Sequence, residues 1–117
     1  MKRLKNSFAC AFQGIKSAFH EQVFRICCAV ALLVIILMIT LEMTFLEKAI
    51  IIFAITLVLS FELINSRIER ILNLIQPGFD KKVRIIKDIS AGAVLISIFG
   101  AVIAGILIFY PYFIKLF

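Results

Sequence analysis

No Gly-x-x-x-x-Gly-Lys-Ser/Thr loop and no Gly-x-Gly-x-x-Gly turn occurs anywhere in the chain. A nucleotide phosphate is therefore not held here by either of the glycine-rich turns that serve soluble nucleotide-binding folds. Gly-x-Ser-x-Gly and His-Glu-x-x-His are missing too, and no cysteine has a matching histidine. That excludes the common serine, cysteine and zinc-dependent hydrolytic arrangements. Cys10, Cys27 and Cys28 form no Cys-x-x-Cys pair. An odd number of cysteines in apolar surroundings reads as small buried hydrophobes in a reducing or lipid setting. His20 stands alone beside an apolar run and reads as amphipathic only. Internal repeats, low-complexity tracts and flexible linkers are also absent, so residues 1–117 are expected to form one domain.

What the chain has in abundance is hydrocarbon. It is 63% hydrophobic and 17% charged, with a mean hydropathy of +1.12. A soluble domain of 117 residues has too little interior to hide that much apolar side chain. The composition predicts an all-α integral membrane protein. The net charge of +6 does not indicate nucleic acid. The basic residues fall in two polar patches between apolar runs, which is how lysine and arginine fix topology in a bilayer.

Residues 1–20 are too polar to span. Phe8, Phe12, Ile15 and Phe19 recur at helical spacing, with Lys2, Arg3, Lys5, Gln13 and Lys16 mostly between them. This predicts a basic amphipathic helix lying among headgroups, or packed on the rest of the protein. The next apolar run is longer than the core of a signal peptide and no small-x-small cleavage site follows, so no cleavable leader is expected. Three runs, 24–41, 49–64 and 89–111, read as membrane spans, the first long enough for a hydrocarbon core of about 30 Å. The first two are joined by a short polar connection, which requires an antiparallel hairpin. The polar segment 65–88 continues the second helix to about Gln76. Pro77-Gly78 then breaks it, and a new helix begins around Val83. In the third span Ala91, Gly92, Ala93, Gly100, Ala101, Ala104 and Gly105 permit close approach of another helix. Tyr110 and Tyr112 form an aromatic belt at its exit. Lysine and arginine gather before the first span and in 65–88, leaving only Lys48 and Lys115 elsewhere. The N-terminus and the 65–88 segment are accordingly expected to be cytoplasmic, with the C-terminus outside.

The chemistry concentrates in Phe61–Arg70. Glu62, Asn65, Ser66 and Glu69 stand at i, i+3, i+4 and i+7, so they share one helix face. Their two carboxylates lie about 10 Å apart along the axis, at 1.5 Å per residue. That spacing suits a base and a metal ligand on either side of one substrate. An acid at the end of a membrane span is costly and points to function. Glu21, Asp88 and Lys87 reach the same depth from other helices, whereas Glu42, Glu47 and Asp80 read as solvated. Carboxylates, an amide and cations at one level make a candidate site for Mg²⁺ and a phosphorylated ligand, with Lys87 and Arg84 available for phosphate charge. The same residues also permit a non-enzymatic transporter or channel subunit with Glu62 as its ion site.

Glu62-Leu63-Ile64-Asn65-Ser66-Arg67-Ile68-Glu69 resembles the E-x-x-N-[ST]-x-I-E motif of the small prokaryotic diacylglycerol kinase family, which includes undecaprenol kinases. Lys87-Asp88-x-x-Ala91-Gly92-Ala93-Val94-Leu95 is similar to the family's K-D-x-x-A-G-A-V-L signature. Glu21-x-x-Phe24-Arg25, preceded by Gly14, is a third match, and the spacings agree over nearly the whole chain. The resemblance implies a homotrimeric lipid kinase of the bacterial cytoplasmic (inner) membrane, with composite active sites between subunits. It implies ATP as co-substrate, Mg²⁺ as cofactor, and diacylglycerol or undecaprenol as the lipid alcohol. By the same resemblance Glu62 is the general base, Glu21 and Glu69 hold Mg²⁺, and Asn65, Lys87, Asp88 and Arg3 position the nucleotide. Arg67 departs from the Ala usual in the family, Asn73 from a common Asp, Asp80 from a frequent His, and Cys27 from a Glu of some members.

Overall fold

The computed structural model describes residues 1–78 and 80–117. Among them there is no strand, and four helices follow in order: α1 (Lys2–Ala18), α2 (Gln22–Thr40), α3 (Phe45–Ile75) and α4 (Lys81–Leu116). The last three are long and apolar enough to cross a membrane. The chain is thus an all-α membrane protein with one amphipathic helix before three candidate spans.

Little of α1 is packed against the chain. Ala18 is its one buried residue, while Phe8, Phe12, Ile15 and Phe19 stay exposed. The helix ends in a tight turn at Phe19–Glu21, where the N–H groups of Phe19, His20 and Glu21 donate back to Lys16, Ser17 and Ala18. Phe19 meets Phe24 edge to face, with ring centroids 5.3 Å apart. The apolar stripe expected from the sequence is therefore turned outward, where a headgroup layer can receive it.

α2 and α3 form the expected antiparallel hairpin, and its corner is built by a device that the sequence carries as Thr-x-x-Glu. Thr44 caps α3: its Oγ1 accepts from the Glu47 N–H at 3.2 Å, and Glu47 Oε1 accepts from the Thr44 N–H at 3.0 Å. Two N–H groups with no partner inside the helix are satisfied together. Tyr112 of α4 donates to the same Glu47 oxygen, tying the far end of α4 to the start of α3. The only buried apolar cluster lies at this end among the described residues, with Met38, Met43, Ile51 and Ile108 at its centre.

α3 packs mainly on α4 and less on α2. At 31 and 36 residues, α3 and α4 outrun the 19 residues of α2. Both extend past α2 at the end that carries Glu62. Helix α3 stops at Ile75 because Gln76 precedes Pro77 and takes a non-helical conformation.

One expectation about α4 needs correction. The helix begins at Lys81 rather than Val83, because Asp80 caps it, its Oδ1 accepting from the N–H groups of Lys82 at 2.8 Å and Val83 at 3.3 Å. Asp80, read as a solvated surface acid, has a structural task. Pro111 lies inside the helix, which runs on to Leu116. Its ring forgoes one hydrogen bond, but its fixed φ suits a helix and the last turn still closes through Phe117 N–H and Phe113 O. Replacing the cap, Asp80→Ala, is expected to cost about 1 kcal/mol of stability. Asp80→Ser should recover most of it, as read by denaturant unfolding in micelles.

The glycines of α4 do not explain packing within the chain. A Cβ placed on Gly92, Gly100 or Gly105 meets nothing within 4 Å. Most large apolar side chains of α2, α3 and α4 are exposed as well. These surfaces face lipid or other protein, where van der Waals fit rather than exclusion of water decides association.

Candidate functional site

The polar residues of the expected site converge at the end of the bundle opposite the Thr44 corner. α3 supplies most of them because its 3.6-residue period puts Glu62 and Ser66 on the face turned inward. Both are buried, Glu62 to 6% exposure. The Ser66 hydroxyl donates to the Leu63 carbonyl at 3.0 Å, so it is satisfied within its own helix. Glu62 is not: its carboxylate makes no hydrogen bond or ion pair among the described residues, yet neither oxygen is sealed off. Glu21 and Glu69 stand close enough for their charges to act on it. Glu69 itself is exposed, since α3 has by then passed the end of α2 and has neighbours on one side only.

Glu21 reaches this face from the turn between α1 and α2. It is the residue that precedes α2. Its Oε1 accepts from the Arg67 guanidinium at 3.0 Å, and Arg67 Nε lies 3.4 Å from Ser66 Oγ. Sequence reading marked Arg67 only as a departure from its family. A partner 46 positions away cannot be read from spacing.

The rest of the site lies between α3 and α4. Asn65 Oδ1 accepts from the Ser90 hydroxyl at 2.8 Å. Lys87 reaches back across the same interface and donates to Asn73 Oδ1. Neither Ser90 nor the Asn73 contact was expected, although Ser90 lies within the Lys87–Leu95 motif. Asp88 points elsewhere. It is exposed and pairs loosely with Arg84 of its own helix, at 3.7 Å. Arg3 lies on the exposed N-terminal turn of α1, without a side-chain partner among the described residues. The structure thus joins Glu21, Glu62, Asn65, Arg67 and Lys87 at one end, with Glu69 at its rim. Arg3 and Asp88 make no hydrogen bond or ion pair with this group among the described residues.

Below Glu62 an apolar cavity of about 380 Å³ runs between α2, α3 and α4. Ile26, Cys27 and Leu59 line it toward the site, Gly105 and Ile108 toward the other end. Among the described residues no three of His, Cys, Asp and Glu close around one metal position. Mg²⁺ does not require such a cage, because it takes one or two carboxylates and completes its shell with water and substrate phosphate oxygens. The hard oxygen donors of Glu21 and Glu69, flanking Glu62, fit that requirement.

Three apolar helices closed at one end by carboxylates and cations define an integral membrane protein with a polar site at the end of its spans. Comparison with known proteins places it more closely. A profile of the family described as prokaryotic diacylglycerol kinase matches residues 9–109. The undecaprenol kinase of Bacillus subtilis (strain 168) is 34% identical over 112 residues, covering 95% of this chain and 91% of that protein. The chain belongs to the prokaryotic diacylglycerol kinase family and is a lipid kinase. The alternative of a channel or transporter subunit falls with that assignment.

Proposed function

We propose that the protein transfers the γ-phosphoryl group of ATP to the primary hydroxyl of a membrane lipid alcohol, diacylglycerol or undecaprenol, with Glu62 as general base. The observation that carries this reading is Glu62 itself: a buried carboxylate with no hydrogen-bond or ion-pair partner among the described residues, at the end of a membrane span and among further charges. Leaving a carboxylate unpaired there is costly, and the cost has a use when a ligand supplies the missing partner. The lipid hydroxyl gives its proton to Glu62 as its oxygen attacks the γ-phosphorus. The bond to the β–γ bridging oxygen breaks and ADP departs. Phosphoryl transfer needs chiefly alignment and neutralisation of charge. Glu21 and Glu69 would hold Mg²⁺, which neutralises phosphate charge when bound. Lys87 faces the phosphates, and Asn65, fixed by Ser90, orients the nucleotide with Asp88 and Arg3. The cavity below Glu62 suits the hydrocarbon of a lipid whose hydroxyl sits at headgroup depth.

Arg3 and Asp88 make no hydrogen bond or ion pair with Glu62, Glu21 or Lys87 among the described residues of one chain. That lack of contact, with the bare apolar faces of all three spans, supports a homotrimer with composite sites. The basic residues at the Glu62 end support a cytoplasmic site in the bacterial inner membrane, with the N-terminus on the same side and the C-terminus outside. Similarity to a Bacillus undecaprenol kinase favours undecaprenol over diacylglycerol.

The test is direct. Purified protein in mixed micelles is given Mg²⁺ and γ-labelled ATP, with diacylglycerol or undecaprenol in separate reactions. Label is expected in undecaprenyl phosphate at the higher rate. Label only in phosphatidic acid would reverse the substrate assignment. No label in either, from folded protein, would overturn the proposed reaction.

A further inference from the structure

The geometry points to Arg67 as a positioning residue that fixes Glu21 for the metal–nucleotide complex, an inference that rests on the kinase reading above. Glu21 is poorly constrained by its own segment. It sits in a three-residue turn after a helix of which only Ala18 is buried, and it starts α2 without a side-chain cap bond. A glutamate so placed has several rotamers open to it, and a ligand must bear the entropy of choosing one. Arg67 removes that freedom. Its guanidinium donates to Glu21 Oε1 at 3.0 Å, and no other side-chain hydrogen bond or ion pair among the described residues joins the α1–α2 turn to α3.

Three details separate positioning from mere pairing. First, the contact engages one carboxylate oxygen only, so Oε2 remains free to face a cation. Second, Arg67 is itself aimed by Ser66, whose Oγ lies 3.4 Å from Nε and whose residue is buried beside Glu62. The chain Ser66–Arg67–Glu21 therefore ties the turn to the helix face that carries the base. Third, a guanidinium stays charged at any working pH, so it keeps its hold on Glu21 under all working conditions without occupying the place of the metal. Groups that hold a ligating carboxylate in this way typically contribute ten- to a hundredfold to metal affinity. Both side chains here are about 40% exposed, so the lower end, about tenfold, is expected.

The experiment titrates Mg²⁺-loaded β,γ-imido-ATP into the full-length protein in detergent micelles and reads the heat of binding. Arg67→Ala is expected to weaken binding about tenfold, with Arg67→Lys in between because it keeps charge but not the planar fork. Glu21→Gln should weaken it at least as much. The double variant should bind no worse than Glu21→Gln alone, since Arg67 acts through Glu21. The nucleotide without metal, in excess chelator, should bind wild type and Arg67→Ala alike. Several outcomes overturn the proposal: tighter binding in Arg67→Ala, which would make Arg67 a competitor of the metal; additive losses in the double variant; or an equal loss with metal-free nucleotide, which would make Arg67 a direct phosphate contact. If wild type transfers phosphate to lipid and binds the nucleotide while Arg67→Ala matches it, only this inference fails. If wild type does neither, the kinase reading fails with it.

Discussion

Glu62→Gln lowers phosphoryl transfer by about 10²–10⁴-fold, the usual contribution of a positioned general base, in a protein that folds as well as wild type. The second half of this expectation is as specific as the first. Glu62 is buried, but it makes no hydrogen bond or ion pair within the chain among the described residues, so the neutral amide breaks nothing. Removing a charge from a membrane-embedded position relieves desolvation, and the variant's unfolding midpoint should equal or exceed that of wild type. A residue whose loss stabilises the fold and abolishes the reaction is held in place by function. Glu62→Asp keeps the charge but shortens the arm by one methylene, and a displacement of that size costs about a hundredfold where alignment is critical. The measurement is the single-turnover rate with labelled ATP, beside size-exclusion and thermal unfolding of each variant. Glu62→Gln with more than a tenth of wild-type activity would remove Glu62 from the role of base. Loss of activity together with loss of folded protein would remove the argument that its burial is functional.

The parts of this protein that were legible beforehand are those written in local periodicity. Three apolar runs gave the spans, and the i, i+3, i+4, i+7 pattern gave a polar face at the end of α3. That face does turn inward at Glu62 and Ser66. Thr44-x-x-Glu47 and Asp80 were equally local signals of capping, but charged residues between apolar runs read as plain connection until their side chains were seen to accept backbone N–H groups. The third apolar run is bounded at Pro111, and the helix runs on past it to Leu116 because a proline costs one hydrogen bond and does not forbid the next turn.

What stayed hidden depends on pairs distant in sequence. Arg67 meets Glu21, Asn65 meets Ser90, and Lys87 meets Asn73, and no spacing rule foretells which residues of two helices share a level. Two of these partners, Arg67 and Asn73, stand at departures from the family pattern, whose contacts the pattern does not supply.

Lys87→Met is expected to lower kcat/KM for ATP by about a hundredfold, the scale of losing one preorganised charge at a phosphoryl group. The structure shows why this lysine has charge to give. Its Nζ donates to Asn73 Oδ1, and an amide accepts a hydrogen bond without cancelling a charge, so two of the three ammonium N–H groups and the full charge remain for a ligand. An aspartate, common at the Asn73 position in the family, would hold the same lysine by an ion pair. Asn73→Asp should therefore raise KM for ATP and leave kcat nearly unchanged, because the phosphates must now compete for Lys87. Lys87→Arg keeps the charge and should retain part of the activity, though a planar guanidinium does not reproduce the reach of an ammonium. Stability should barely change in Lys87→Met, since Asn73 is exposed and water replaces the lost donor. Steady-state kinetics over a range of ATP at saturating lipid, with unfolding midpoints for each variant, separates these effects. A Lys87→Met enzyme with wild-type kcat/KM would take Lys87 out of the nucleotide site. An Asn73→Asp enzyme with unchanged KM would mean that the Asn73 contact is released before ATP binds, leaving the lysine's charge as the only part of the pair that the reaction uses.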